Sequence, residues 1–180
     1  MVYILLAPGF EEAEALVPAD LLRRAGIEVA LTALEGEEVT GGHQITETAD
    51  LSLEQADLDR ADMVVLPGGG VGVQNLGRSA AVEALVRETA ARGIPLAAIC
   101  AAPTLLGRWG LLEGKRAVCY PGMEDGLTGA TVCRDSGAVE DRKLVTGRAA
   151  GSAFDFGLKL VEVLSGADKA REVRHAVHYG

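Results

Sequence analysis

The sequence predicts an α/β fold: a doubly wound, mostly parallel sheet with helices on both faces. Three observations carry this. Short apolar runs alternate with helix-like stretches over most of the 180 residues. The runs are continuously apolar, as in strands covered on both faces, rather than alternating. Each run ends near Gly, Pro or polar residues, where a parallel strand gives way to a crossover. No repeat, low-complexity tract or Ser/Pro-rich linker breaks the pattern, so residues 1–180 are expected to form one domain.

The first strand is expected over residues 2–6, an apolar run without a basic flank that passes directly into Pro8-Gly9, unlike a signal peptide. A helix follows over 12–25, with its geometry open at Pro18. A second strand covers 28–33. Residues 35–51 are polar and β-rich with Gly41-Gly42, which suits a small hairpin or edge excursion. The strand 63–66 leads into Pro67-Gly68-Gly69-Gly70, read as a glycine-rich loop. A helix over 80–92, a strand over 95–99 and a helix over 101–109 come next. A strand over 144–146 and helices over 152–164 and 167–177 close the chain.

No apolar run approaches the roughly 20 residues needed to cross a bilayer, so the expectation is a soluble, cytoplasmic protein with no membrane partner. A formal net charge of -9 opposes specific nucleic-acid binding, which relies on clustered Lys and Arg. Cys100, Cys119 and Cys133 are an odd number without CxxC or Cys/His grouping, which argues against a disulfide framework and a zinc site. A reducing compartment fits them best. His175 and His178 read as a solvated tail rather than metal ligands.

In doubly wound folds ligands bind beyond the carboxyl ends of the strands, which directs attention to the loops after Ala7, Leu66 and Ile99. Cys100 follows the strand 95–99 directly, with small residues Ala98 and Ala102 two places away on either side. A nucleophile on a tight strand-to-helix turn needs such neighbours. At a helix start the thiol would also feel unpaired N–H groups and a positive dipole end, which lower its pKa. The alternative for Cys100 is a small buried hydrophobe at a strand end. The loop at Gly68, Gly69 and Gly70 tips the balance, because N–H groups of Gly69 and Ala101 can form an oxyanion hole. That loop fits neither nucleotide-binding fingerprint.

Glu14 falls on the helix face of Val17 and Leu21, so its carboxyl should be buried and its pKa raised, fitting it for proton exchange beside the thiol. The alternative is that it lines the helix start with Glu11 and Glu12. No histidine can be assigned as the base of Cys100, so a Cys/His protease dyad is unsupported.

The segments Ala7-Pro-Gly-Phe-Glu-Glu-Ala-Glu14, Leu66-Pro-Gly-Gly69, Ala97-Ala-Ile-Cys-Ala-Ala-Pro103 and Gly147-Arg-Ala-Ala-Gly-Ser-Ala-Phe-Asp-Phe-Gly157 occur in this order in a known family. Over nearly its whole length the chain closely resembles the ThiJ/PfpI superfamily, in bacterial members of the branch of the parkinsonism-associated protein deglycase. The resemblance implies a flavodoxin-like sandwich and a homodimer. It implies Cys100 as the reactive cysteine, Glu14 as its carboxylic partner, Gly69 and Ala101 as backbone donors, and Gly68, Tyr120, Arg24 and His43 as pocket positions. Tyr120-Pro121 stands where the eukaryotic branch has His-Pro, as an aromatic residue does in bacterial relatives. His43 stands where an arginine often helps to hold an oxidised cysteine, while Arg24 matches.

The function expected is therefore cysteine-dependent, cofactor-independent and metal-free conversion of small 2-oxoaldehydes such as methylglyoxal (glyoxalase III type), with deglycation of early adducts as a related activity. The rivals are a redox sensor that uses oxidation of Cys100, and a chaperone or interaction role independent of the thiol. Amide hydrolysis would need a histidine next to the nucleophile, where Ala101 stands.

Overall fold

The computed structural model describes residues 1–180. In chain order the elements are β1 (Val2–Leu6), α1 (Glu12–Arg24), β2 (Val29–Ala33), β3 (Glu38–Thr40), β4 (Thr46–Thr48), β5 (Leu51–Ser52) and β6 (Met63–Leu66). Then come α2 (Gly70–Arg78), α3 (Ala80–Ala91), β7 (Leu96–Ile99), α4 (Pro103–Arg108), β8 (Arg116–Ala117) and β9 (Thr131–Val132). The chain ends with β10 (Ala138–Asp141), β11 (Leu144–Gly147) and α5 (Ala153–Ala176).

Side chains of the central strands divide by parity between two cores, because successive residues of a strand point to opposite faces. Val2, Ile4 and Leu6 join Met63, Val65, Ala97 and Ile99 beneath α1 and α5. Tyr3 and Leu5 join Val64, Leu66, Leu96 and Ala98 beneath α2, α3 and α4. Both faces are covered, which is why these strands are apolar at every position.

The seven-stranded sheet has the order β10-β11-β7-β6-β1-β2-β5. All its pairings are parallel except β10 with β11. The chain starts in the middle at β1, moves outward through β2, then returns to β6 and proceeds the other way through β7 and β11. The order therefore reverses at β1 and β6, and a crevice opens outside their carboxyl ends. The register Leu66↔Ala98 and Ile99↔Gly147 brings the loops after β6, β7 and β11 to one rim.

The expected doubly wound sheet is present, and residues 35–51 form the β3/β4 hairpin as anticipated. Gly166, at φ 85° and ψ 164°, breaks α5 where two helices were expected. Two expectations need correction. Gly70, read as the end of a glycine-rich loop, instead opens α2, which runs through residues 71–78, to which no element was assigned. Its glycines lower helix propensity, but Gly72 lies where a Cβ would be 2.8 Å from the Phe10 backbone, so close packing requires glycine there. The helix expected from residue 101 begins at Pro103, after a turn through Ala101 and Ala102. Strand β10 and the β8/β9 pair had no clear sequence signal. No helix is long and apolar enough to cross a membrane.

Candidate active site around Cys100

Cys100 leaves β7 with φ of 66°, a left-handed conformation that costs a residue with a Cβ about 1–3 kcal/mol. The surroundings hold it there. Its N–H donates to the Gly147 carbonyl at 2.9 Å, and its own carbonyl accepts from Tyr120 N–H at 2.8 Å. Ala98 and Ala102 are fully buried beside it, as the tight turn requires.

Glu14, in the first turns of α1, is also fully buried. Its Oε2 accepts the Gly68 N–H at 2.9 Å across 54 residues of sequence. Oε1 has no aligned donor, and the neighbour that shares hydrogen-bonding with this carboxyl is the Cys100 thiol. Gly68 stands between the two functional groups. A Cβ there would lie 2.2 Å from Glu14 Oε2, 2.6 Å from Cys100 Cβ and 3.1 Å from Cys100 Sγ. Only glycine lets the thiol and the carboxyl share this space. Gly69, at φ 91°, is just as constrained, since a Cβ would lie 2.4 Å from the Gly9 carbonyl oxygen.

Burial pushes Glu14 up from 4.5 to about 7, with the neighbouring Glu11 charge adding to the rise and the thiol and the Gly68 N–H opposing it. The buried carboxyl expected from helix spacing is therefore present. The thiol departs from expectation. Burial first, then the charge of Glu14 and its hydrogen bond, push Cys100 up to about 12. The N–H groups of Ala101 and Gly69 point at the sulfur and pull the other way. The helix N-terminus expected to lower the thiol pKa lies further along the chain, at Pro103. The Ala101 and Gly69 N–H groups, expected as oxyanion donors, lie beside the sulfur.

Tyr120 borders the site through its backbone, while the residue as a whole is 48% exposed. His43 sits one layer out. Its ring Nδ1 lies 2.9 Å from Glu12 Oε2 and 3.5 Å from Glu11 Oε2, and Glu11 N–H donates to the Gly68 carbonyl. The ligand atoms of Glu11, Glu12 and His43 lie within 4.8 Å of one another. The Glu12 carboxylate is already engaged by the N–H groups of His43 and Ile45 and by the His43 ring, so the cluster is a clamp on the β3/β4 loop. Within one chain the structure does not bring Arg24 to the site. It lies in the last turn of α1, about 15 Å along the axis from Glu14, and its Nε donates to Asp20 Oδ2.

Sequence reasoning overlooked Glu12, which is 5% exposed. Its only signal was an acidic residue next to an apolar helix face, shared with Glu11. The three cysteines are free thiols. Cys119 is buried, which pushes its thiol up to about 11.

A family model described as the DJ-1/PfpI family matches residues 1–163. The chain is 42% identical over 172 residues to protein dj-1beta of Drosophila melanogaster, covering 94% of this chain and 92% of that protein. It is 33% identical over 164 residues to a protein of Pyrococcus abyssi (strain GE5 / Orsay) named a deglycase, covering 91% of this chain and 98% of the other. Among solved structures, a cysteine-to-alanine mutant of a DJ-1 superfamily protein from Salmonella typhimurium superposes with a TM-score of 0.94 at 40% identity. That similarity spans 99% of this chain and 98% of the other.

Proposed function

Because the chain belongs to the DJ-1/PfpI family, we propose that it is a Cys100-dependent enzyme that converts small 2-oxoaldehydes such as methylglyoxal to 2-hydroxy acids, as a homodimer and without metal or organic cofactor. The observation that carries this reading is the convergence of Cys100 Sγ and Glu14 Oε2 on Gly68. The name deglycase of the archaeal relative supports catalysis on related adducts.

The chemistry follows from the two pKa directions. With the thiol pushed up to about 12, little free thiolate exists at neutral pH, so attack has to be coupled to proton removal. Glu14, at about 7, is half ionised there and is the base at hand. Sulfur adds to the aldehyde carbon as its proton passes to Glu14, which hands that proton on to the former carbonyl oxygen to give the hemithioacetal hydroxyl and is a carboxylate again. The Gly69 and Ala101 N–H groups stabilise the oxyanion on the way. Glu14 then takes the proton from the former aldehyde carbon and returns it to the neighbouring carbon, while the hemithioacetal hydroxyl proton passes to the former ketone oxygen, converting the hemithioacetal to a thioester with a hydroxyl beside it. Water hydrolyses the thioester to the hydroxy acid and restores the thiol. The Gly68 N–H holds Oε2, which leaves Oε1 free to carry these protons.

The test is D-lactate formation from methylglyoxal without glutathione, with chelator present, by the native chain, Cys100→Ser and Glu14→Gln. Both variants should lose about 10²- to 10⁴-fold in rate. The native rate should rise with pH through about 7 as Glu14 loses its proton. A native rate no higher than that of Cys100→Ser would overturn the proposal.

A further inference from the structure

At the amino ends of β7 and β11, the sheet edge opposite Cys100, a cavity of about 290 Å³ opens between the end of α3 and the loop after α4. Its walls are apolar: Ala90, Ile94, Leu96, Leu111 and Leu144. Leu96 and Leu144 are register partners in adjacent strands and form a rigid floor. Such a volume lies near the lower end for small-molecule sites, which combine apolar walls with a few placed polar groups.

The polar groups here are Lys115 and Lys143, with Glu113. The chain contains four lysines. Lys159 and Lys169 are paired with Glu162 and Glu172, and the two that form no ion pair are the two at this cavity. In a chain of net charge -9 that is a local reversal of sign. Glu113 does not cancel it, because its Oε2 is turned against Gly129, where a Cβ would come within 2.4 Å. Lys115 is held in place by its backbone, whose N–H donates to Leu112 and whose carbonyl accepts from Thr131. The Lys143 carbonyl accepts the Leu96 N–H. The backbones that carry both cations are thus fixed beside an apolar pit.

We propose that this cavity binds a small amphipathic carboxylate, with its hydrocarbon tail against Leu96, Leu111, Ile94 and Leu144 and its carboxylate facing Lys115 and Lys143. The site is separate from the Cys100 centre, so its fate does not depend on the proposed reaction. An apolar tail alone would be held by burial; the lysines add selectivity for an anionic head.

The experiment is calorimetric titration of octanoate, below its micelle concentration, into the full chain, with 1-octanol as a neutral ligand of equal tail. The same titrations are made on the Lys115→Gln/Lys143→Gln double variant. The expected result is one saturable octanoate site, with octanol about tenfold weaker, and a loss of about tenfold in octanoate affinity in the double variant. Methylglyoxal conversion by that variant should be unchanged. No saturable binding, more than one octanoate per chain, or equal affinity in the double variant would overturn the proposal.

Discussion

At the scale of single residues, the site is built on positions where ordinary stereochemistry is violated or forbidden. Cys100 occupies a left-handed backbone conformation, and Gly68 and Gly69 lie where no Cβ fits. The strain at Cys100 is retained because relaxing the turn would withdraw the sulfur from Gly69, Ala101 and Glu14. Cys100→Gly should therefore raise stability by about 1 kcal/mol in urea denaturation while abolishing turnover. A loss of stability would show that packing of the thiol outweighs the strain. The turn itself was legible in the sequence from Ala98, Cys100 and Ala102. The Gly68 contact was not, since nothing local says that a residue 54 positions from Glu14 touches it.

At the scale of elements, the start of α1 is fastened to the β3/β4 loop by Glu12. Its carboxylate takes the His43 and Ile45 N–H groups and the His43 ring. Gly42 N–H adds a bond to the Phe10 carbonyl, and Gly9 N–H one to Thr40. Burial pushes Glu12 up, but the hydrogen bonds to His43 and to backbone groups outweigh it and hold the pKa low. The hydrogen bond to Glu12 and the charges of Glu11 and Glu12 raise His43. A raised histidine contributes stability that is complete below its ordinary 6.5 and is lost as pH rises through its folded value. Backbone amides of residues 41–45 should accordingly exchange hydrogen more readily, after correction for intrinsic rates, above that range than below it. Glu12→Ala should expose the same amides at every pH and cost about 1 kcal/mol, because it removes the acceptor of the part-buried His43 and Ile45 N–H groups. Protection unchanged in that variant would mean that the glycine contacts alone hold the loop.

At the scale of the whole molecule, burying Glu14 places a thermodynamic load on the fold. Its pKa rises from 4.5 to about 7, so the native state holds a proton that the unfolded chain has released across that window. Stability contributed by this group therefore falls as pH rises from about 4.5 to 7, by an amount on the order of 3 kcal/mol above it. Glutamine keeps an oxygen for the Gly68 N–H but no charge. Glu14→Gln should match the native chain near pH 4 and exceed its stability at pH 8, measured by urea midpoints. Parallel curves at all pH values would mean that Glu14 does not carry the load. The proposed proton transfer by Glu14 is thus opposed to stability, as the proposed attack by Cys100 is.

The sequence by itself determined what depends on local pattern. Unbroken apolar runs marked the doubly covered strands, helical spacing with Leu21 put Glu14 in the core, and four spaced motifs marked the family. What depends on distant chain segments meeting was decided only by the tertiary structure. Residues 70–78 are helical because Gly72 lets α2 rest on the Phe10 backbone, against their local propensity. Arg24 and His43, which motif position alone grouped with the site, pair instead with Asp20 and with Glu11 and Glu12. The direction of the thiol's shift reversed for the same reason. A pKa reports the net field and burial at one point, and at Cys100 these come from Glu14 and the packed sheet edge rather than from the helix that follows in sequence.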